Sequence, residues 1–187
     1  MFAGHFGIAA AVKSKTPKLP LWSLIVSSQL LDIAFIPFSL AGLEKIVPLG
    51  DGGYGNVMIY AFYTHSLVGA LLLSIITALL AGRLWGKASG LITGAVVFSH
   101  WILDLIVHRP DMPILPGNFG GLPLLGFGLW ESVPASMFFE FLIIAVGAIF
   151  YFRFVLKKAD VKSKGKSLAA GWVMLFFLLL SFGSNFI

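Results

Sequence analysis

Apolar residues come in five long runs, at residues 21–43, 57–81, 88–108, 133–156 and 167–187, divided by short basic or glycine-rich stretches. Each run reaches the roughly 20 residues that an α-helix needs to cross a bilayer. A further apolar segment, residues 1–12, is too short to span and carries one polar interruption, His5. It has no basic residues ahead of its apolar core, so it does not read as a secretory signal. It predicts a half-inserted helix, broken by Pro17 and Pro20. Residues 109–131 hold four prolines and five glycines among large apolar side chains such as Met112, Phe119 and Trp130. That stretch is too apolar for a solvated loop and too broken for a span, so it predicts an interfacial or re-entrant cover. The expectation is an all-α integral membrane protein, one domain over residues 1–187, with about five transmembrane helices plus the half-inserted N-terminal segment. In the third span Gly86, Gly90 and Gly94 form a small-residue ridge, which predicts close approach of a neighbouring helix.

Composition agrees with this pattern. The chain is 58% hydrophobic and 11% charged, with a mean hydropathy of +0.95, against about 25% charged residues in a typical soluble domain. The net charge of +5 suggests an acidic partner at first sight. The basic residues, however, lie between the apolar runs, where anchoring at one membrane face would place them, so no nucleic-acid partner is expected. Lys13, Lys15, Lys18, Arg83, Lys87, Lys157, Lys158, Lys162, Lys164 and Lys166 fall on one side, and only Lys45 and Arg109 on the other. The first side is therefore expected to face the cytoplasm. The absence of cysteine excludes disulfides, thiolate metal sites and a Cys nucleophile. Any metal must be held by His and carboxylate, a donor set that suits Zn²⁺ or a similar first-row ion.

The scarce polar residues of the apolar runs are ligand types. Asp32 sits near the middle of the first span, His65 follows Thr64 in the second, and the third ends in His100, Asp104 and His108. On a helix these last three share one face within about 80°, with neighbours roughly 6 Å apart and the outer pair roughly 12 Å apart. His100 and Asp104 can thus chelate one ion, and Asp104 and His108 a second. A carboxylate at the centre of a span costs about 2.5–3.5 kcal/mol on insertion scales, so Asp32 and Asp104 call for compensation. A metal centre provides it; a purely structural hydrogen-bond cluster or a proton pathway are the rival readings. His5, Asp32, His65, His100, Asp104 and His108 are the candidate ligands. Glu140 and Asp111 join Asp32 as candidate catalytic carboxylates, although Asp111 can also serve as a cap or a partner of Arg109. Ser66 lies outside any G-x-S-x-G elbow, so it makes a poor nucleophile.

These residues carry a resemblance. Gly4-His5, Leu31-Asp32-Ile33, Tyr63-Thr64-His65-Ser66-Leu67 and Ser99-His100-Trp101-Ile102-Leu103-Asp104 resemble a family of inner-membrane metal-dependent hydrolases that is also described as LexA-binding. The resemblance covers roughly residues 1–130. More distantly, the order of His and Asp residues is similar to the zinc-dependent phospholipase C and P1-type nuclease superfamily. That similarity implies one zinc held by Asp32, His65, His100 and Asp104, with Asp104 bridging to a second that His5 helps hold. The soluble enzymes complete a third zinc site with His-x3-Glu, where this chain has Ser136-x3-Glu140. Relatives also lead into Thr-His-Ser with His-Arg-Gly-Phe, where this chain has Tyr60-Ala61-Phe62-Tyr63.

Together the residues and the resemblance lead to an expected function. It is metal-assisted hydrolysis, with one or two zinc ions, of a phosphoester or similar ester in a lipid or amphipathic substrate at the bacterial inner membrane. Asp32 would orient or deprotonate the attacking water. Two other classes remain open from sequence: a metal-ion or proton transporter using the same ligands, and a non-catalytic membrane protein with a structural metal. Ser74, Thr77, Ser89 and Thr93 are the polar residues of the second and third spans on the basic side of His65 and His100.

Overall fold

In the computed structural model the described residues are 1–51, 53–157, 159 and 164–184. Lys158 and Lys162 of the lysine-rich connector, Gly52 of the glycine-rich loop and the last three residues of the fifth apolar run lie outside them. Among the described residues seven α-helices carry the fold: α1 (Phe2–Lys15), α2 (Leu21–Ser28), α3 (Leu30–Leu40), α4 (Leu67–Trp85), α5 (Lys87–Val107), α6 (Val133–Lys157) and α7 (Lys164–Gly183). Helices α4 to α7 are each long and apolar enough to cross a membrane, and α2 with α3, bent by 51° at their junction, are together long and apolar enough for a fifth crossing. The chain is a multi-pass, all-α membrane protein.

Helix α1 runs inside the bundle rather than along its surface. Ala3, Gly4, His5, Phe6, Gly7, Ala9 and Ala10 are all buried. Ala3, Phe6 and Ala10 pack with Ile144, Tyr151, Met174 and Leu178 of α6 and α7 in one apolar cluster. The α1–α6 contact depends on small residues: a side chain on Gly7 would come within 2.9 Å of the Ile143 carbonyl, and one on Gly147 would strike the Gly7 backbone. Backbones approach this closely in membranes only where side chains are absent. The predicted ridge on α5 behaves alike, since a side chain on Gly94 would lie 2.8 Å from the Ala78 methyl and from the Ser74 carbonyl of α4.

Two expectations change. The first span is not one straight helix; α2 stops at Ser28 and α3 restarts at Leu30, with Gln29 between them at φ −114° and ψ 9°. The second span does not begin at residue 57. Residues Val57–Tyr60 form strand β2, which pairs antiparallel with β1 (Lys45–Pro48), Lys45 opposite Tyr60 and Pro48 opposite Val57. Helix α4 starts only at Leu67, where the Ser66 hydroxyl accepts from Gly69 N–H at 3.0 Å as its N-cap. Ser66 is therefore a helix cap, and His65 sits on a turn in front of the helix rather than two turns into it. Hydropathy cannot separate these cases, because Val57, Met58, Ile59 and Tyr60 are as apolar as a span and also favour strand.

The stretch 109–131 folds back over the same end of the bundle. Met112 and Leu125 exchange backbone hydrogen bonds at 3.0 and 2.7 Å, and the N–H groups of Leu67 and Val68 donate to the carbonyls of Pro113 and Ile114. The first turn of α4 thereby finds acceptors for donors that no helix can satisfy internally. Arg109 ties the hairpin to this stretch through the carbonyls of Gly55, Val57 and Trp130.

At the other end, Trp22 stacks edge-on against Trp85 and the Lys15 ammonium lies over the Phe150 ring. The C-terminus of α1, the start of α2, the α4–α5 reversal and the end of α6 thus share one end of the bundle. Lys15, Arg83, Lys87 and Lys157 belong to these segments.

Candidate metal centre

Four separate segments bring six ligand-type side chains to one place. Helix α1 supplies His5, α3 supplies Asp32, the turn before α4 supplies His65, and α5 with its C-cap supplies His100, Asp104 and His108. Asp104 is at the centre. Its Oδ1 lies 3.2 Å from His5 Nε2, and its Oδ2 lies 3.0 Å from His100 Nε2, 3.6 Å from His65 Nε2 and 3.8 Å from His108 Nε2. Asp32 Oδ1 approaches His65 Nε2 at 3.4 Å and His100 Nε2 at 3.6 Å. The Met1 α-amino group is 3.4 Å from Asp104 Oδ1. Donor atoms close into two sets that share His100: His5, His100 and Asp104, and Asp32, His65 and His100. His108 belongs to neither; it approaches Asp104, and its ring stacks with that of His65 at 6.3 Å between centroids.

The separations fit a metal. Zinc bonds of 2.0–2.2 Å in tetrahedral geometry set neighbouring ligand atoms about 3.3–3.5 Å apart, the middle of the range found here. A second observation agrees. His100 Nε2 and both ring nitrogens of His5 are buried with no hydrogen-bond partner. A buried polar atom left unpaired costs about 1–3 kcal/mol, and coordination would remove that cost.

The far nitrogens of three histidines fix which nitrogen faces the cluster. His100 Nδ1 lies 2.7 Å from the carbonyl of Ser28, at the break between α2 and α3. A carbonyl only accepts, so Nδ1 carries the proton and Nε2 presents its lone pair. His108 Nδ1 is held in the same sense by Asp111 Oδ1 at 2.9 Å. His65 Nδ1 meets Thr64 Oγ1 at 2.9 Å, and that hydroxyl donates to Glu44 Oε2 at 2.8 Å, so its oxygen is left to accept from the imidazole. Backing of a ligating imidazole by a carboxylate or carbonyl is the usual outer arrangement of metal-binding histidines. Glu44 is buried and its Oε1 also accepts from the N–H groups of Tyr63 and Thr64 at 2.7 and 2.8 Å.

The sequence candidates thus fall into two layers. His5, Asp32, His65, His100, Asp104 and His108 converge. Asp111 stands behind His108 and accepts from Ile59 N–H at 3.0 Å, rather than pairing with the Arg109 guanidinium. Glu140 lies at the start of α1: its Oε1 accepts from the N–H groups of Ala3 and Gly4 at 2.8 and 3.0 Å, and its Oε2 from the Tyr54 hydroxyl at 2.7 Å. Burial and the neighbouring Glu140 carboxylate raise the Tyr54 phenol above its ordinary value, so it remains a donor. Ser136, the other member of the Ser-x3-Glu pair, donates to the Leu129 carbonyl.

Sequence reasoning did not single out Glu44, Thr64, Tyr54 or Trp130 for the site. Trp130 stacks on His108 with ring centroids 4.4 Å apart, and the His5 and His100 rings stack at 3.6 Å. Only the neighbour relation of Thr64 to His65 could have signalled its role.

One ligand differs in access. The Asp32 side chain is 43% exposed, whereas those of His5, His65, His100, Asp104 and His108 are at most 4% exposed. Asp32 borders a cavity of about 170 Å³ shared with Phe2, Phe35, Ile46, His65 and Trp130. No family model matches this chain, and no curated protein or solved structure matches it significantly.

Proposed function

We propose that the protein is a metal-dependent hydrolase embedded in a bacterial inner membrane, acting on a phosphoester or similar ester of a lipid or other amphipathic substrate. The observation that carries this reading is the exposed Asp32 carboxylate, opening onto a cavity from an otherwise buried donor set. A structural zinc site is closed by protein ligands, whereas a catalytic one keeps a position open to substrate. The resemblance of the Thr-His-Ser and Ser-His-x3-Asp blocks to inner-membrane hydrolases points the same way.

Transport is less well supported. Ser74, Thr77 and Thr93, on the basic side of the cluster, donate to the carbonyls of Ala70, Leu73 and Ser89 within their own helices. They are thus engaged locally and offer no chain of ionisable groups towards Arg83 and Lys87.

Asp32, His65 and His100 would hold one zinc ion, and Asp104 with His5 would hold a second beside it, since the single Nε2 lone pair of His100 serves one ion. A divalent ion there supplies Lewis acidity, polarising the phosphoryl oxygen and bringing a water pKa to about 7. The chain's own residues do the rest. Asp32, the accessible carboxylate, orients the attacking water and accepts its proton as the new oxygen–phosphorus bond forms and the ester bond breaks. The leaving oxygen takes up that proton from Asp32, directly or through water, which returns the carboxylate to its ionised form. Asp104 keeps the imidazoles of His5, His65 and His100 gathered, and the Trp130 and Phe35 rings narrow the approach to the cluster.

The test supplies zinc-loaded protein with a phospholipid and with a soluble phosphodiester, beside Asp32→Ala and His65→Ala, while metal flux into proteoliposomes is followed in parallel. We expect turnover that falls by about 100-fold or more in Asp32→Ala, as for loss of a general base. Absence of turnover together with Asp32-dependent flux would make the protein a transporter.

A further inference from the structure

The 51° bend between α2 and α3 opens a groove on the flank of the bundle. It encloses about 580 Å³ and is lined by Phe2 and Phe6 of α1, Val26 of α2, Ile33 and Ile36 of α3, and Ile46 of β1, among others. Val26, Ile33 and Ile36 are exposed along it. Val26, Ile33 and Ile36 belong to α2 and α3, which together are long and apolar enough for a membrane crossing, and a crossing there sets this wall of the groove against hydrocarbon.

Three features distinguish this groove from an ordinary lipid-facing furrow. It is continuous with the cavity of the candidate metal centre, because Phe2, Asp32, Phe35 and Ile46 line both. Its inner end is the accessible carboxylate of Asp32, a polar group at the close of an apolar wall. And Gln29, at the bend, lines it with an unsatisfied acceptor. Gln29 Nε2 donates to the Phe2 carbonyl at 3.1 Å, while Gln29 Oε1 is buried and has no partner. The residue is 6% exposed, so bulk solvent does not satisfy that oxygen. A ligand donor at this point would.

We propose that the groove between α1 and the α2–α3 bend holds the hydrocarbon chain of a membrane amphiphile whose headgroup lies at Asp32. Gln29 Oε1 accepts a hydrogen bond from a hydroxyl or amide at the junction of chain and headgroup. The substrate therefore enters sideways from the membrane and is selected by a chain on one side of Asp32 and an ester on the other. This deepens the hydrolase reading and rests on it only for the chemistry at the headgroup.

The experiment reads binding separately from turnover. Full-length protein in phosphatidylcholine vesicles is photolysed with a single-chain 2-hydroxyalkyl phosphate carrying a diazirine at mid-chain, and with its 2-deoxy counterpart, and adducts are mapped by mass spectrometry. Adducts of the hydroxylated probe are expected on residues 2–6 and 26–36. Capture should fall about tenfold or more in Ile36→Trp and Val26→Trp, which fill the groove, while bound metal stays at the wild-type level. The preference for the hydroxylated probe should vanish in Gln29→Leu. Adducts spread evenly over the lipid-facing sides of α4 and α7 would overturn the proposal from the wild-type map alone. So would capture unchanged in both tryptophan variants. Capture in the groove without hydrolysis of any ester would keep the chain site and remove the hydrolase. Hydrolysis of soluble esters without capture there would keep the hydrolase and remove the chain site.

Discussion

Each histidine of the cluster has its near nitrogen at Asp104, but the far nitrogen is gripped differently in His65, His100 and His108 and has no hydrogen-bond partner in His5. For His65 the grip is indirect, through the Thr64 hydroxyl to the buried Glu44 carboxylate. Removing the hydroxyl leaves Glu44 in place and frees the imidazole to rotate or change tautomer. We expect Thr64→Val to weaken zinc binding by about 10–100-fold, the usual effect of losing an outer partner, and Thr64→Ser to restore it. A competition titration against a zinc chelator reads this directly; equal affinity in Thr64→Val and wild type would remove the relay. At this scale the sequence was most legible where polarity was least expected. Asp32, His65, His100 and Asp104 stand out because apolar runs have no other use for them. Glu44 did not stand out, since it lies in a polar loop and its partner is 20 positions away.

Helix α1 shows what the ligands require of an element. It has no side-chain N-cap of its own, and its first free N–H groups are taken by Glu140 from α6, with Tyr54 from the hairpin loop holding the other carboxylate oxygen. The negative charge of Glu140 also faces the positive end of the helix dipole. This arrangement sets the height and rotation of α1, and with them the position of His5. Glu140→Gln should therefore destabilise the fold by about 1.5–3 kcal/mol, the range for hydrogen bonds to a charged group, while metal content stays near wild type. Thermal unfolding and elemental analysis of the same sample decide the point, and loss of metal without loss of stability would instead make Glu140 a ligand. The half-inserted helix was legible from the length of its apolar run. The β-hairpin and the late start of α4 were not, because Val57–Tyr60 is apolar whether it pairs as strand or continues a span. The break at Gln29 was also hidden, since nothing around it is a glycine or proline.

For the molecule as a whole, the helices reverse so that the ligand cluster and the basic residues occupy opposite ends. Lys15, Arg83, Lys87 and Lys157 lie at one end, and the hairpin and residues 109–131 close the other. The excess of basic residues on one side predicts that this end faces the cytoplasm. Because the chain has no cysteine, single introduced cysteines report orientation cleanly. Asp51→Cys should react with an impermeant maleimide added to intact cells, and Lys87→Cys only after permeabilisation; the reverse pattern would place the candidate site on the cytoplasmic side. The span count was legible because apolar length is a whole-molecule property that depends little on detail. Which spans meet at the cluster depends on packing between distant segments, which no local pattern records.

The convergent histidines and aspartates are placed to hold a metal. His100 belongs to both donor sets, so it is the residue whose loss should matter most, whereas Asp111 touches the cluster only through His108. The most direct measurement is elemental mass spectrometry of the purified protein, as wild type, His100→Ala and Asp111→Asn, after equilibration with zinc and removal of unbound ion. One or two equivalents of zinc per chain are expected in wild type, most of it lost in His100→Ala and more of it kept in Asp111→Asn. Wild type without stoichiometric metal, or His100→Ala with as much metal as wild type, would contradict it.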